Sequence, residues 1–360
     1  MLTSDKKILF YNAIPMPHSI MLHKALLESG YEVYFWYYKD LTSLYPWKNL
    51  ARNVDYYIYG REGNNLKKLI KQTLKSDLVI ITGWHTEIHV LLAFFCFFNK
   101  IKYGYWLDVG EIPKSGLKLA IKQVLLKLSN FLLVTSPEGI RRISKWGKIS
   151  ESKFREFPYL SIEDNKMEMV EINKQRALDI ISGDKIRVLI SNRFEKRKGY
   201  NCVLNALKYL KIDGIDKFKF TIIGSGSEFE YYNKAFKELD LQIEFKFWVE
   251  YDEYLRLLKE SDLLIHASIH EPFGIPPVDA MALGKLVIVS DGVMSTFDRI
   301  VDCENGMLFS ADDSVNLFEV LKKISYDPNL VYKLGKKAYI DSRAYGINLN
   351  LDVINELVNI

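Results

Sequence analysis

The amino-acid sequence predicts an α/β protein built from two parallel-sheet domains. Three observations carry this. The chain has 360 residues, enough for two domains of ordinary size. Short apolar runs alternate with helix-like segments, the pattern of a parallel sheet covered on both faces. That alternation pauses over residues 161–184, which are mixed in charge and poor in strand signals, and then restarts. With 48% hydrophobic and 26% charged residues the composition is globular rather than disordered.

In the first half, residues 8–11 read as a strand. A helix follows over 19–29, with Ser19 as its N-cap and Gly30 as its stop. Residues 32–38, 77–82, 103–107 and 131–135 are further strands, and 88–98 is an apolar helix. The domain linker is placed within 161–184, giving domains over 1–165 and 166–344. In the second half, strands are expected at 186–191, 218–223, 243–248, 262–267 and 286–290. Helices are expected at 201–210, 229–239, 252–260 and 278–283. Both halves are Rossmann-like. Ligands of such sheets bind beyond the carboxyl ends of the strands, so two sheets facing each other would place the chemistry in a central cleft.

The bulk properties narrow the classes. No secretory leader is evident, and the longest apolar run, 90–98, is shorter than the ~20 residues a membrane span needs. Cys96, Cys202 and Cys303 have no metal or redox spacing and read as buried reduced thiols. Residues 1–160 hold 23 Lys and Arg against 13 Asp and Glu, while 161–360 hold 26 against 32. The first half is therefore basic and the second acidic.

The most informative segment is 262–284, D-L-L-I-H-A-S-I-H-E-P-F-G-I-P-P-V-D-A-M-A-L-G. A buried strand runs into a loop with Glu271 and Gly274, and a helix follows with Pro277 near its first turn. Gly274 lets backbone approach a ligand closely. The helix N-terminus offers N–H groups and positive potential to an anion such as a diphosphate. Val278, Met281 and Ala282 share one face, which leaves Asp279 on another, free to reach outward. Upstream, Ser191-Asn-Arg193-Phe-Glu-Lys-Arg-Lys198-Gly199 joins a strand to a helix. Alone it reads as a solvated basic loop. In that position, at the start of a helix, its cations suit a bound anion such as a diphosphate. Gly224-Ser-Gly226 marks a tight strand-to-helix turn, and Phe247-Trp248-Val249 ends another strand.

Together these motifs resemble those of family-4 retaining glycosyltransferases. Glu271 to Asp279 is similar to the E-P-F-G-(x)4-E signature, with Asp279 standing where the family usually has a second Glu. Arg193 and Lys198 match the Arg…Lys-Gly element, and Gly224 and Gly226 the glycine loop. The resemblance spans about 186–282 and implies the GT-B fold, with a C-terminal crossover helix over 345–360 that packs back on the first domain. It implies that Glu271 contacts the donor sugar and that Arg193 and Lys198 hold the diphosphate. It gives Asp279 the ribose hydroxyls. Because Pro276 and Pro277 lack N–H groups, the amides of Phe273, Gly274 and Ile275 become the expected phosphate donors. The stretch 292–298 departs from the usual Gly-Gly-x-x-Glu, and 304–309 resembles the family's Gly-containing hairpin.

The first half supplies acceptor-side candidates. The usual glycine-rich loop after the first strand is replaced by Asn12-Ala-Ile-Pro-Met-Pro-His18, in which Asn12 and His18 are candidates. Asp108 lies just past a strand, where the family often places a His or an acid near the reacting sugar, and is the second catalytic candidate. His85 is a weaker one. His85 and His89 do not make H-E-x-x-H, and no D-x-D metal site is present, so no metal or cofactor is expected. Lys114, Lys118 and Lys122 recur every four residues beside leucines, and Arg141, Arg142, Lys145 and Lys148 follow. This pattern fits either an ordinary amphipathic surface helix or docking on an anionic membrane.

The expected function is transfer of a hexose-type sugar from a nucleotide-diphosphate donor to a glycan or lipid-linked acceptor, with no nucleic acid involved. The expected location is the cytoplasm, including the inner face of its membrane. Rivals are a nucleotide-sugar epimerase, a sugar phosphorylase and a non-catalytic sugar-binding protein. A dinucleotide oxidoreductase would need G-x-G-x-x-G after the first strand, and residues 11–19 hold no glycine.

Overall fold

The computed structural model describes residues 6–40, 55–61, 63–83, 86–108, 117–159, 162 and 167–359, with backbone alone for 117–119 and 167–172. The chain divides into two compact units, one of Met1–Glu163 with Tyr345–Ile360 and one of Asp164–Ala344.

The first unit is a seven-stranded sheet of β1 (Lys7–Asn12), β2 (Glu32–Tyr37), β3 (Tyr57–Ile58), β4 (Leu78–Thr82), β5 (Tyr103–Leu107), β6 (Phe131–Val134) and β7 (Phe154–Glu156). The strand order is β3-β2-β1-β4-β5-β6-β7, and every pairing is parallel. The central stretches of β1 (residues 8–11) and β4 (residues 78–81) are apolar and buried, as a sheet covered on both faces requires. The first helix, Pro17–Glu28, starts two residues before the expected 19. Ser19 is therefore not the N-cap; its hydroxyl accepts from the Met16 N–H at 3.1 Å from inside the first turn. Pro17 supplies a preset φ at the helix start, which draws the start forward.

The terminal helix Ile347–Asn359 belongs to this unit. It buries Val353, Ile354, Leu357 and Val358. Glu356 accepts from Arg155 Nε at 2.9 Å, and Asn350 donates to the Pro158 carbonyl at 3.1 Å. Lys102 donates to the Leu357 carbonyl, placing a cation at the negative end of the helix.

The second unit is a six-stranded parallel sheet of β8 (Ile186–Ser191), β9 (Phe218–Ile223), β10 (Ile243–Lys246), β11 (Leu263–His266), β12 (Leu286–Ser290) and β13 (Met307–Phe309). Its order is β10-β9-β8-β11-β12-β13. The segment 304–309, expected as a hairpin, instead adds β13 parallel to β12. The stretch 161–184, within which the linker was placed, contains the helix Met167–Ile181, which buries Ala177 and Ile180. Its charged residues mask the apolar stripe. Cys96 and Cys202 are buried, but Cys303 is exposed, because it sits in a turn at φ +61°.

Strand order reverses between β8 and β11, and between β1 and β4. At such switch points the loops leave in opposite directions and open a crevice. The loops after β8 and β11 carry Lys198 and Glu271. In the first unit, Thr82 at the end of β4 donates to Asn12 at the end of β1.

The opposite end of β11 is fixed by charge. Buried Asp262 accepts from the Arg187 N–H at 2.7 Å and from Arg176 Nε at 3.0 Å. Replacing Asp262 with Ala removes the buried carboxylate of a pair whose Arg176 guanidinium is 13% exposed, leaving that cation with Asp184 at the surface. The expected cost is ~3 kcal/mol or more, and the midpoint of thermal unfolding of this unit should fall by roughly 6–12 °C, read by calorimetry.

Candidate functional site

The loop after β8 is built from the inside outward. Phe194 is fully buried and stacks on Tyr200 with ring centroids 4.1 Å apart, which anchors the loop to the next helix. A short 3₁₀ turn, Lys196–Lys198, then brings Lys198 inward. Gly199 follows at φ +71°, and a Cβ there would lie 1.9 Å from the Ala267 carbonyl oxygen. Only glycine fits, so the loops after β8 and β11 lie backbone to backbone. The Ile269 N–H donates to the Arg197 carbonyl at 2.8 Å and locks that approach.

The result is a buried ion pair. Lys198, its side chain 7% exposed, meets Oε2 of Glu271. The same oxygen accepts from the Ser268 hydroxyl at 3.2 Å and lies 3.8 Å from His266 Nε2. Oε1 faces Arg197 at 4.0 Å. Arg197 pairs with Glu195 at 3.2 Å, and the other Glu195 oxygen pairs with Arg193 at 2.7 Å. Arg193, Glu195, Arg197, Glu271 and Lys198 thus form one network in which cations outnumber carboxylates.

Burial pushes the Glu271 carboxyl up, but the His266 ring and the Lys198 charge outweigh it and hold the group well below the usual carboxylate range. Burial lowers Lys198, and the Glu271 charge opposes that. Burial likewise lowers His266, keeping its ring neutral. The pair is therefore charged at neutral pH beside an uncharged imidazole.

Other expected residues take different places. A Cβ on Gly224 would lie 1.9 Å from the Asn192 carbonyl oxygen, and one on Gly226 2.5 Å from that of Phe194. The glycine loop thus supports the basic loop from behind. Gly274, at φ +91°, starts the helix Ile275–Ala282, and Phe273 lies beneath the Arg299 guanidinium at 4.9 Å. Phe247, 59% exposed, leans on Phe229 at the end of β10. Asp279, expected to reach freely outward, is buried and accepts from the Tyr254 hydroxyl at 3.2 Å. The helix starts at Ile275 rather than 278, and its whole middle is packed.

In the first unit, His18 is half-buried. Its ring lies 4.2 Å from that of Tyr159, and burial drives it down to about 3. Asp108 is exposed, and its charge helps raise Tyr159, after burial itself. Asn12 is buried and tied to Thr82. His85 lies outside the described residues, as does Lys114. Among the described residues no group of three or more His, Cys, Asp and Glu is disposed to hold a metal ion.

Residues 171–341 match the family model described as glycosyl transferases group 1. That segment is similar to group 1 glycosyltransferases. It is 26% identical over 73% of its length to an uncharacterized 41.2 kDa protein in the cps region of Klebsiella pneumoniae, covering 76% of that protein. It is 34% identical to the O-antigen chain mannosyltransferase RfbU of Salmonella typhimurium over 26% of each chain. The crystal structure of Anabaena Alr3699/HepE in complex with UDP superposes with a TM-score of 0.73 at 15% identity, over 98% of this chain and 100% of that one. That likeness shows the fold, which is GT-B. The group 1 match covers both loops of the Glu271–Lys198 pair.

His266, Ser268, Asn192 and Arg197 were not legible as members of this site. His266 and Ser268 lie in the same signature segment as Glu271, three to five residues before it, and only the β11 turn brings them under its carboxylate.

Glu271 is depressed on folding, so its stabilising effect is complete above its unfolded pKa and is lost as pH falls toward its folded value. Glu271→Gln should therefore lower the thermal midpoint at pH 7. The gap from wild type should stay constant down to about pH 4.3, the ordinary Glu value, and narrow below it, measured by thermal melts across pH.

Proposed function

We propose that the protein is a retaining glycosyltransferase. It moves a hexose-type sugar from a nucleotide-diphosphate donor to a glycan or lipid-linked acceptor in bacterial surface polysaccharide synthesis. The observation that carries this reading is the Lys198–Glu271 pair at the β8/β11 switch point, with Arg193 and Arg197 beside it. The group 1 match, the O-antigen mannosyltransferase among the relatives and the UDP bound by a neighbour of the same fold support it.

In this reading the diphosphate competes with Glu271 for Lys198. Lys198 turns to the leaving phosphate, and Arg193 binds it by its fork. Glu271 is released toward the donor sugar. No second residue suggests a covalent glycosyl intermediate, so the acceptor attacks from the side the phosphate leaves. These cations, with the main-chain amides near Gly274, take the role a divalent ion has elsewhere. Asp279 is held by Tyr254, so it meets the ribose only if that contact yields. Asp108, His18 and Asn12 are assigned to the acceptor side.

A lipid-linked acceptor would be met at an anionic membrane surface. Among the described residues no helix is long and apolar enough to cross a membrane. The helices Glu87–Phe98 and Leu117–Leu128 touch each other and expose Leu91, Phe97, Phe98, Ile121 and Val124, with Lys127 exposed beside them. Such a surface suits shallow insertion with electrostatic support.

Glu271→Ala should lower kcat by roughly 10²–10³-fold and Arg193→Ala by a similar factor, with circular dichroism unchanged. Nucleoside diphosphate should be released only when acceptor is present; release without acceptor points to an epimerase or hydrolase. The protein should sediment with anionic vesicles at low salt and stay soluble at high salt, and sedimentation independent of lipid charge would refute the membrane assignment.

A further inference from the structure

The Ser268 hydroxyl lies fully buried between three groups, and its bonding capacity is used up. It has one hydrogen and two acceptor positions. It donates to Glu271 at 3.2 Å. It accepts from the Asn192 side-chain amide at 3.0 Å. That amide is oriented by its own oxygen, which accepts from the Arg193 N–H at 3.0 Å. The remaining neighbour is His266 Nε2, at 3.4 Å. Because Asn192 can only donate here and Glu271 can only accept, the remaining acceptor position of the hydroxyl calls for an Nε2–H. His266 Nδ1 is buried with no hydrogen-bond partner. An imidazolium would strand an N–H there, whereas the Nε2–H tautomer leaves only a bare lone pair.

We propose that Ser268, oriented by His266 and Asn192, is the positioning residue that keeps Glu271 aimed when the donor diphosphate draws Lys198 away. In the resting site Lys198 and Ser268 share one Glu271 oxygen. Once Lys198 turns to phosphate, the carboxylate would be free to swing, with only distant Arg197 facing its other oxygen. Two donors that press the single hydroxyl hydrogen toward Glu271 prevent that swing. The charged or titratable groups recorded facing Glu271 are Lys198 and Arg197 from the loop after β8 and His266 from β11. This inference rests on the transfer reading above.

Three variants test it. Ser268→Ala should lower kcat about tenfold or more while donor KM stays within about twofold, as expected for losing one hydrogen bond to a charged group. The acidic limb of its pH profile should move to higher pH. His266→Phe should show the same pattern more weakly, and His266→Gln, whose amide can still donate, should recover to within about twofold of wild type. Unchanged kcat in Ser268→Ala, or equal loss in the Phe and Gln variants, would overturn the proposal. ¹⁵N NMR of the imidazole should report the neutral Nε2–H form; the Nδ1–H form or an imidazolium at neutral pH would also overturn it. If the wild type performs no transfer, the functional reading fails. The hydroxyl's hold on Glu271 is then judged by the ring tautomer and by the Glu271 ¹³C titration. That titration moves up in Ser268→Ala if the hold is real and stays put if it is not.

Discussion

A lysine ammonium and a glutamate carboxylate, both mostly withdrawn from water, face each other where the second sheet reverses its strand order. Each alone would be costly to bury, and each lowers the other's cost. Around this pair the second unit is arranged. Gly199 brings the two loops into backbone contact, Phe194 fixes one of them to the core, and the backbone bonds of Glu271 with Gly292 and Met294, with that from the Ser295 N–H to the Phe273 carbonyl, fix the other. A compact pair of opposite charges on two such loops is a stored recognition device. Under the proposed function, an incoming diphosphate that took the ammonium would expose the carboxylate in the same act, so that binding the leaving group and presenting the acid would be one event rather than two.

The glycines show how the site is kept rigid. At Gly199, Gly224 and Gly226 the space a side chain would need is filled by carbonyl oxygens of neighbouring loops. These glycines serve loop-to-loop stacking, and through it they fix the loop that carries Arg193 and Lys198. Gly274 is different in kind: its positive φ turns the chain from the strand-end loop into a helix whose second and third residues are prolines.

Most of the fold was legible because parallel strands buried on both faces leave unbroken apolar runs, as at residues 78–82 and 286–290. What was missed has physical causes. Strand β3 is two residues long, too short to show a period. The helix Met167–Ile181 was not read as a helix because its charges hide a stripe of few buried residues. The 304–309 segment was read as a hairpin because Gly306 signals a turn equally well before a parallel strand. In the site, Glu271, Arg193 and Lys198 were legible from motif and position. Asp279 was misjudged because its burial depends on Tyr254, 25 residues away, and on where the helix begins. His266 and Ser268 were passed over because an apolar strand ending in a histidine gives no sign of which neighbour the ring will meet.

The helix Ile347–Asn359 completes the first unit although the whole second unit separates it from the rest of that unit. On the ribosome, the first sheet emerges without this cover, and the Pro158 carbonyl, Arg155 and Lys102 wait for partners that are translated 192, 201 and 255 residues later. The second unit is continuous and can fold as soon as it emerges. The first cannot close until its sibling has been synthesised, which orders the maturation of the two units and leaves the half built first exposed the longest to chaperones and proteases.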